Sequence, residues 1–261
     1  MMSRGDRTPT IIDATLGKFV RLIQRLLLND NRRFVPSIGY MFSDRVSVLD
    51  IVQEDSIRKS AKFILENAAD AMMFFEREPF WNYVGDYAFR NFKYESRVDK
   101  YAYFEFGVWK GRSINHFSSR FPQLKFVGFD SFLGLSEDWT GTELAKGAFS
   151  VDGNLPKVNK NVLLVPGWIE ETLSIFVEKN RNEIQLSLCH FDFDTYTPTA
   201  FALQQLKDFV ATGTILIFDE FIGYPNYQEH EFKAFFEFCN HNGLTYRVLA
   251  YTNTCVAMEI K

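Results

Sequence analysis

Residues 101–130 read YAYFEFGVWKGRSINHFSSRFPQLKFVGFD. Tyr101–Phe106 is a short, nearly continuous apolar run, the pattern of a strand buried on both faces. It stops at Gly107, and a turn carrying Gly111 leads into Ser113–Phe121, where the apolar spacing becomes helical. Lys125–Phe129 is apolar again and ends on Asp130. Strand, helix and strand in this order make a βαβ unit, which requires the two strands to be parallel.

The same alternation continues downstream. Asn161–Val165 reads as strand before Gly167, Glu170–Lys179 as helix, Leu186–Phe191 as strand, Pro198–Phe209 as helix, Thr214–Phe218 as strand and Glu229–Asn240 as helix. The chain finishes with two strands, Tyr246–Tyr251 and Cys255–Ile260, joined by Thr252–Thr254. That link is too short for a right-handed crossover, so the pair must be a hairpin. The spacing therefore predicts an α/β fold whose mostly parallel, seven-stranded sheet carries a C-terminal antiparallel strand and is covered on both faces.

Upstream of residue 99 the alternation gives way to helical spacing. Leu16, Phe19, Val20, Ile23, Leu26 and Leu27 share one face, with Lys18, Arg21 and Arg25 on much of the other. A second helical stretch runs from Glu54 to Arg77 and a third from Phe80 to Lys93. With no linker in sight, residues 1–98 read as an N-terminal helical extension packed on a core of residues 99–261. The first helix is expected to pack on its own domain or on a second subunit, giving a homo-oligomer through the N-terminal helices. Membrane binding is disfavoured, because Lys and Arg are also the ordinary residues of a solvated helix face.

The bulk numbers exclude other classes. A net charge of −4 argues against nucleic acid as a partner, since phosphate backbones reward a basic surface. Three cysteines without CxxC spacing make neither a disulfide framework nor a zinc site. No apolar run reaches membrane-span length, and the polar opening MMSRGDRTPT lacks a signal-peptide layout, so a cytoplasmic protein is expected.

Every chemically suggestive motif falls at the carboxyl end of a predicted strand, where open α/β sheets bind ligands. In EFGVWKGRS, Gly107 and Gly111 permit a tight turn, and the following helix start offers free N–H groups to a carboxylate, with Glu105 placed to meet an ammonium. The spacing is G-x-x-x-G and not the dinucleotide G-x-G-x-x-G, which disfavours an NAD enzyme; a purely structural glycine turn is the plain alternative. Asp130, 25 residues after Glu105, is placed to accept from ribose hydroxyls. In VPGWIEET, Gly167 ends a strand, and Trp168 or Ile169 would cover an adenine ring or serve as core. Finally, HFDFD and FDEF end neighbouring strands and bring Asp192, Asp219 and Glu220 together, with Asp194 close by. Packed carboxylates repel one another, and a hard divalent cation relieves that repulsion; oxygen ligands suit Mg²⁺. His190 reads either as part of this site or as a satisfied core histidine.

A parallel sheet with one late antiparallel strand is the arrangement of Rossmann-like class I methyltransferases. The set EFGVWKGRS, GFDSFLGLSEDW, VPGWIEETL, HFDFDTYTPT and FDEF resembles, in order from Tyr103 to Glu237, the macrocin O-methyltransferase family. The resemblance implies that S-adenosylmethionine meets Glu105, Gly107, Gly111, Ser113, Asp130, Ser131, Gly167, Trp168 and Asp192. It implies a metal triad of Asp192, Asp219 and Glu220 holding Mg²⁺ or another divalent cation, Asp194 as general base, and Gly134–Lys157 as a mobile lid. The acceptor would be a hydroxyl of a sugar or another small molecule of the natural-product kind. Two departures stand out: Ser136 replaces the proline common in the family's GLPE segment, and Glu220 replaces the aspartate of many relatives. Two alternatives share these motifs, a metal-binding relative of the cephalosporin-hydroxylase kind and a catalytically silent scaffold.

Overall fold

The computed structural model describes residues 47–90 and 100–261. The chain separates into two compact units, residues 1–51 and residues 52–261. In the first, the described part is Ser47–Ile51, whose Ser47 and Asp50 exchange side-chain-to-backbone bonds as a reciprocal helix cap. The expected helix over residues 16–28 lies outside the described residues. The expected boundary at 98/99 falls within residues 91–99, which also lie outside the described residues.

Helix α1 (Val48–Asn67) is followed by a two-residue strand, β1 (Met72–Met73), and helix α2 (Arg77–Phe89). The sequence reading carried the first of these helices on to Arg77. The structure stops it at Asn67, where a turn closed by Ala71 N–H donating to the Ala68 carbonyl redirects the chain. Then come β2 (Tyr101–Phe106), α3 (Arg112–Arg120), β3 (Lys125–Asp130), β4 (Val162–Pro166) and α4 (Ile169–Asn180). The chain continues through β5 (Ile184–Phe191), α5 (Tyr196–Gln205), β6 (Ile215–Phe218), α6 (Glu231–Asn242), β7 (Tyr246–Tyr251) and β8 (Val256–Ile260).

The sheet order is β1-β7-β8-β6-β5-β2-β3-β4. Among the described strands only β8 runs antiparallel, between β6 and β7, as the short hairpin link required. The eighth strand, β1, adds to the far edge by pairing Met72 and Met73 with Ala250 and Tyr251. This is the class I methyltransferase sheet with one extra edge strand. Among the described residues no helix is long and apolar enough to cross a membrane.

The abundance of phenylalanine has a structural purpose. Phe129, Phe106, Phe191 and Phe218 lie in register on four adjacent parallel strands. Their rings stack across the sheet at 5.3, 4.9 and 5.0 Å between centroids, with interplanar angles of 17°, 23° and 14°. All four are fully buried, so the ladder fixes the strand ends at one level. The next residue on each strand is Asp130, Gly107, Asp192 or Asp219. Alternation turns these toward the opposite face, beside Glu105 and His190, which are themselves in register. One aromatic row thus positions the whole row of candidate site residues.

Candidate functional site

Gly107 begins the site. Its φ is +85°, and a Cβ there would sit 2.0 Å from the Asp192 carbonyl oxygen, so only glycine fits where β2 and β5 end side by side. Asp192 N–H donates to the Phe106 carbonyl at 2.8 Å and locks this approach. Gly111, at φ +75°, is the N-cap of α3 and makes no side-chain cap bond. The first-turn N–H groups of α3 therefore remain available to an anion.

Asp130 is committed to the chain itself. Its carboxylate accepts from Val108 N–H at 2.8 Å, Trp109 N–H at 2.6 Å and Phe132 N–H at 2.6 Å. A carboxylate has about four acceptor positions, so roughly one remains for a ribose hydroxyl. These bonds hold Trp109 at φ +47° and Phe132 at φ +58°, conformations that bulky residues rarely adopt. Glu105 is likewise occupied: fully buried, it accepts from Ser113 Oγ at 2.8 Å and, in a short hydrogen bond, from Tyr103 Oη. Ser113 thus joins Glu105 and faces inward. Ser131 Oγ accepts from Leu133 N–H and closes its own turn. Gly167, at φ +133°, donates its N–H to the Asp130 carbonyl, and Trp168 is the half-buried N-cap of α4. Ile169, the other candidate for an adenine contact, is buried in the core.

The expected lid is pinned over its first half. Trp139 is buried, Leu135 N–H donates to the Ala148 carbonyl, and Glu137 accepts from Thr197 N–H and Oγ1 at the start of α5. Thr140 contacts the His230 ring, 3.2 Å from Oγ1 to Nε2.

The ends of β5 and β6 hold the acidic residues. Asp194 is buried at φ +64°. Asp219 and Glu220 are buried, while Asp192 is half-buried and accepts no side-chain hydrogen bond among the described residues. Sequence reading missed Glu231 on α6, fully buried, whose Oε2 accepts from Glu220 N–H at 3.2 Å while Oε1 has no partner among the described residues. It also missed Arg77. The Arg77 guanidinium reaches in from α2 and pairs through Nη2 with Asp219 Oδ2 and, at 2.9 Å, with Glu220 Oε1. Cys255 Sγ donates to Asp219 Oδ1 at 3.1 Å. No sequence pattern flags Arg77, since it lies 143 residues from Glu220. Glu231 stands in the first turn of a helix, where an acidic residue is ordinary because it suits the helix dipole.

These surroundings set the protonation. Burial, then repulsion by Asp219 and Asp194, pushes Asp192 well up. Burial, then Glu220, Glu231 and Asp219, does the same to Asp194. Burial and the Asp219 charge push Glu220 up to about 8. Glu231 is also driven well up by burial and then by Asp192 and Asp219. Asp219 alone goes down: burial would raise it, but the Arg77 charge and His190 outweigh that. His190 stands between Glu105, 3.5 Å from Nδ1, and Asp219, 3.6 Å from Nε2. Burial would lower it, yet these two carboxylates raise it to about 10.

The expected triad is thus brought to one place, with its third member differently engaged. His190, Asp192 and Asp219 each offer one ligand atom, all within 4.8 Å of one another. Glu220, expected as the third ligand, is not part of that set, and Arg77 pairs with both it and Asp219.

A family described as "Methyltransferase domain" matches residues 104–221, the stretch from β2 to just past Glu220. No curated protein matches the chain in sequence. Among solved structures, the crystal structure of CalS11, a calicheamicin methyltransferase, is 19% identical, with 99% of each chain covered and a TM-score of 0.52. An apo structure of CalS11, described as a TDP-rhamnose 3'-O-methyltransferase of calicheamicin biosynthesis, is 18% identical over 84% of this chain and 97% of that one, with a TM-score of 0.50. Likeness at this identity is likeness of fold. Residues 104–221 are similar to a methyltransferase domain, and they are carried on a class I methyltransferase fold.

Proposed function

We propose that the protein is an S-adenosylmethionine-dependent O-methyltransferase, assisted by a divalent cation, that acts on a hydroxyl of a sugar or another small molecule. The observation that carries this is the single row of strand ends set by the phenylalanine ladder. At one end stand the Gly107 turn and the uncapped start of α3; at the other stand Asp192, Asp194 and Asp219.

The residues present fit both groups. The α3 first turn suits the carboxylate of the methionine moiety. Asp130 keeps one acceptor position for a ribose hydroxyl, and Trp168 stands at the start of α4 for the adenine. Asp192 and Asp219, with His190 beside them, are a donor set for a cation, and the raised carboxyls there are short of positive charge. A bound cation supplies acidification of a coordinated hydroxyl. Asp194 would take the acceptor hydroxyl's proton on its carboxylate, and S-adenosylmethionine would supply the methyl group that the hydroxyl oxygen receives. Burial makes Asp194 a strong base once ionised, which suits it to this step. The sugar hydroxyl as acceptor follows the example of CalS11, which is described as acting on TDP-rhamnose.

The test is calorimetric titration of metal-free protein with S-adenosylmethionine, repeated with Mg²⁺, followed by a methyl-transfer screen over hydroxylated sugars. Saturable one-site binding and a product one methyl heavier are expected. A folded sample that binds no S-adenosylmethionine under either condition would overturn the proposal.

A further inference from the structure

The acidic pocket already contains a cation that belongs to the chain. Arg77 Nη2 bridges Asp219 and Glu220, the two consecutive acids that end β6. Its own helix gives it no reason to be there. Arg77 is the first residue of α2, where the helix dipole disfavours positive charge, and Glu76 at the N-cap makes no side-chain cap bond. The side chain is nonetheless mostly enclosed, with 19% exposure, and its Nε is buried without a partner among the described residues. Such a placement is stable only because of the carboxylates it meets. Close by stand Asp192, Asp194 and the fully buried Glu231, whose carboxylate accepts from Glu220 N–H.

We infer that Arg77 and a divalent cation are alternative partners of the Asp219–Glu220 pair, so that metal entry displaces the guanidinium and loosens the start of α2. Both partners draw on Asp219, which Arg77 holds through Oδ2 and which forms the possible ligand cluster with His190 and Asp192. They also repel each other: a guanidinium on Asp219 is only one side chain away from an ion held by Asp192 and Asp219. The pair acts as a built-in placeholder that keeps the carboxylates neutralised and correctly spaced while no metal is bound. It also weakens metal affinity in the resting protein. The inference rests on the cation reading above and extends it to a residue of the N-terminal helices.

The experiment uses the full chain, stripped of metal, with Mg²⁺ or Mn²⁺ alone as probe. Calorimetry compares wild type with Arg77→Gln and Arg77→Lys. Arg77→Gln should bind metal at least about ten-fold more tightly, because a competitor is gone. Arg77→Lys keeps the charge on a shorter side chain that reaches the two carboxylates less well, and should fall between. In wild type, saturating metal should speed amide hydrogen exchange in peptides covering residues 74–84. This readout moves only if Arg77 leaves, and a remote charge effect would not produce it. Equal or weaker metal binding by Arg77→Gln, or unchanged exchange in wild type, overturns the inference. If Arg77→Gln fails to fold, the Lys variant and the exchange measurement decide. S-adenosylmethionine titrated in parallel separates the two readings. Cofactor binding without any metal binding sinks the competition and leaves the methyltransferase. Metal competition without cofactor binding does the reverse.

Discussion

At the end of β3 the Asp130 carboxylate accepts three main-chain N–H groups, whereas at the end of β5 the Asp192 carboxylate accepts none among the described residues. Glu105, on the Asp130 side, is similarly filled by Ser113 and Tyr103. On the Asp192 side, Asp194, Glu220 and Glu231 sit within mutual repulsion, eased by Arg77 and His190. The two halves hang from the same phenylalanine ladder, so backbone geometry does not explain the contrast. A buried carboxylate whose acceptors are filled by its own chain shapes a turn. One left short of donors is a standing demand for charge from elsewhere.

The largest expected effect tests that contrast directly. Asp130→Ala strips an acceptor from three N–H groups and should cost the metal-free protein about 2–4 kcal/mol. Asp192→Ala removes only a repelled charge and should change stability by less than about 1 kcal/mol, in either direction. Urea unfolding at constant m-value measures both. Activity should separate them differently: Asp192→Ala is expected to abolish methyl transfer with cofactor affinity nearly intact, and Asp130→Ala to weaken cofactor binding. Equal losses of stability would mean that the halves do not differ energetically.

The second effect is pH dependence. Glu220 is raised to about 8, and His190 to about 10. Both folded-state values lie above the unfolded ones, so between them the folded chain holds the extra protons. Stability from these groups is fully present below the unfolded values and is lost as pH rises through the folded ones. Metal-free protein should therefore melt lower at about pH 9 than at about pH 6, by on the order of 5 °C. Glu220→Gln should flatten the slope. A melting temperature that rises over this window, once metal is removed, would contradict the assigned charge distribution.

How far the sequence revealed this follows the same division. The strands were legible from short apolar runs closed by turn residues: Tyr101–Phe106, which stops at Gly107, and Tyr246–Tyr251, which stops at Thr252, match to the residue. The edge strand Met72–Met73 was not, since two residues carry no period, and the helical pattern of α1 was read straight through it. The row of acids was visible because each closes a strand. Their partners were not. Asp130 looked like a ligand contact, yet its oxygens are largely spent on Val108, Trp109 and Phe132, a matter of turn geometry that no spacing encodes. Arg77 was invisible because its role depends on a contact across 143 residues.

The smallest effect concerns Asp194, the one acidic-half residue whose backbone is also unusual. At φ +64° an aspartate is tolerated because its short polar side chain suits the left-handed region, and asparagine is tolerated there equally well. Asp194→Asn therefore keeps the turn and removes one charge from beside Glu220, Glu231 and Asp219. Metal-free stability should rise by on the order of 1 kcal/mol. Asp194→Ala removes the same charge but loses that tolerance, and should fall below Asn by about 1 kcal/mol. Turnover should drop about 10²–10⁴-fold in both variants if the carboxylate takes the proton. The comparison between Asn and Ala thus isolates charge from strain. If Asn leaves turnover unchanged across pH, Asp194 is a turn residue after all. It would then belong with Asp130, as a carboxylate that shapes the chain, and the reactive half of the site would narrow to Asp192 and Asp219.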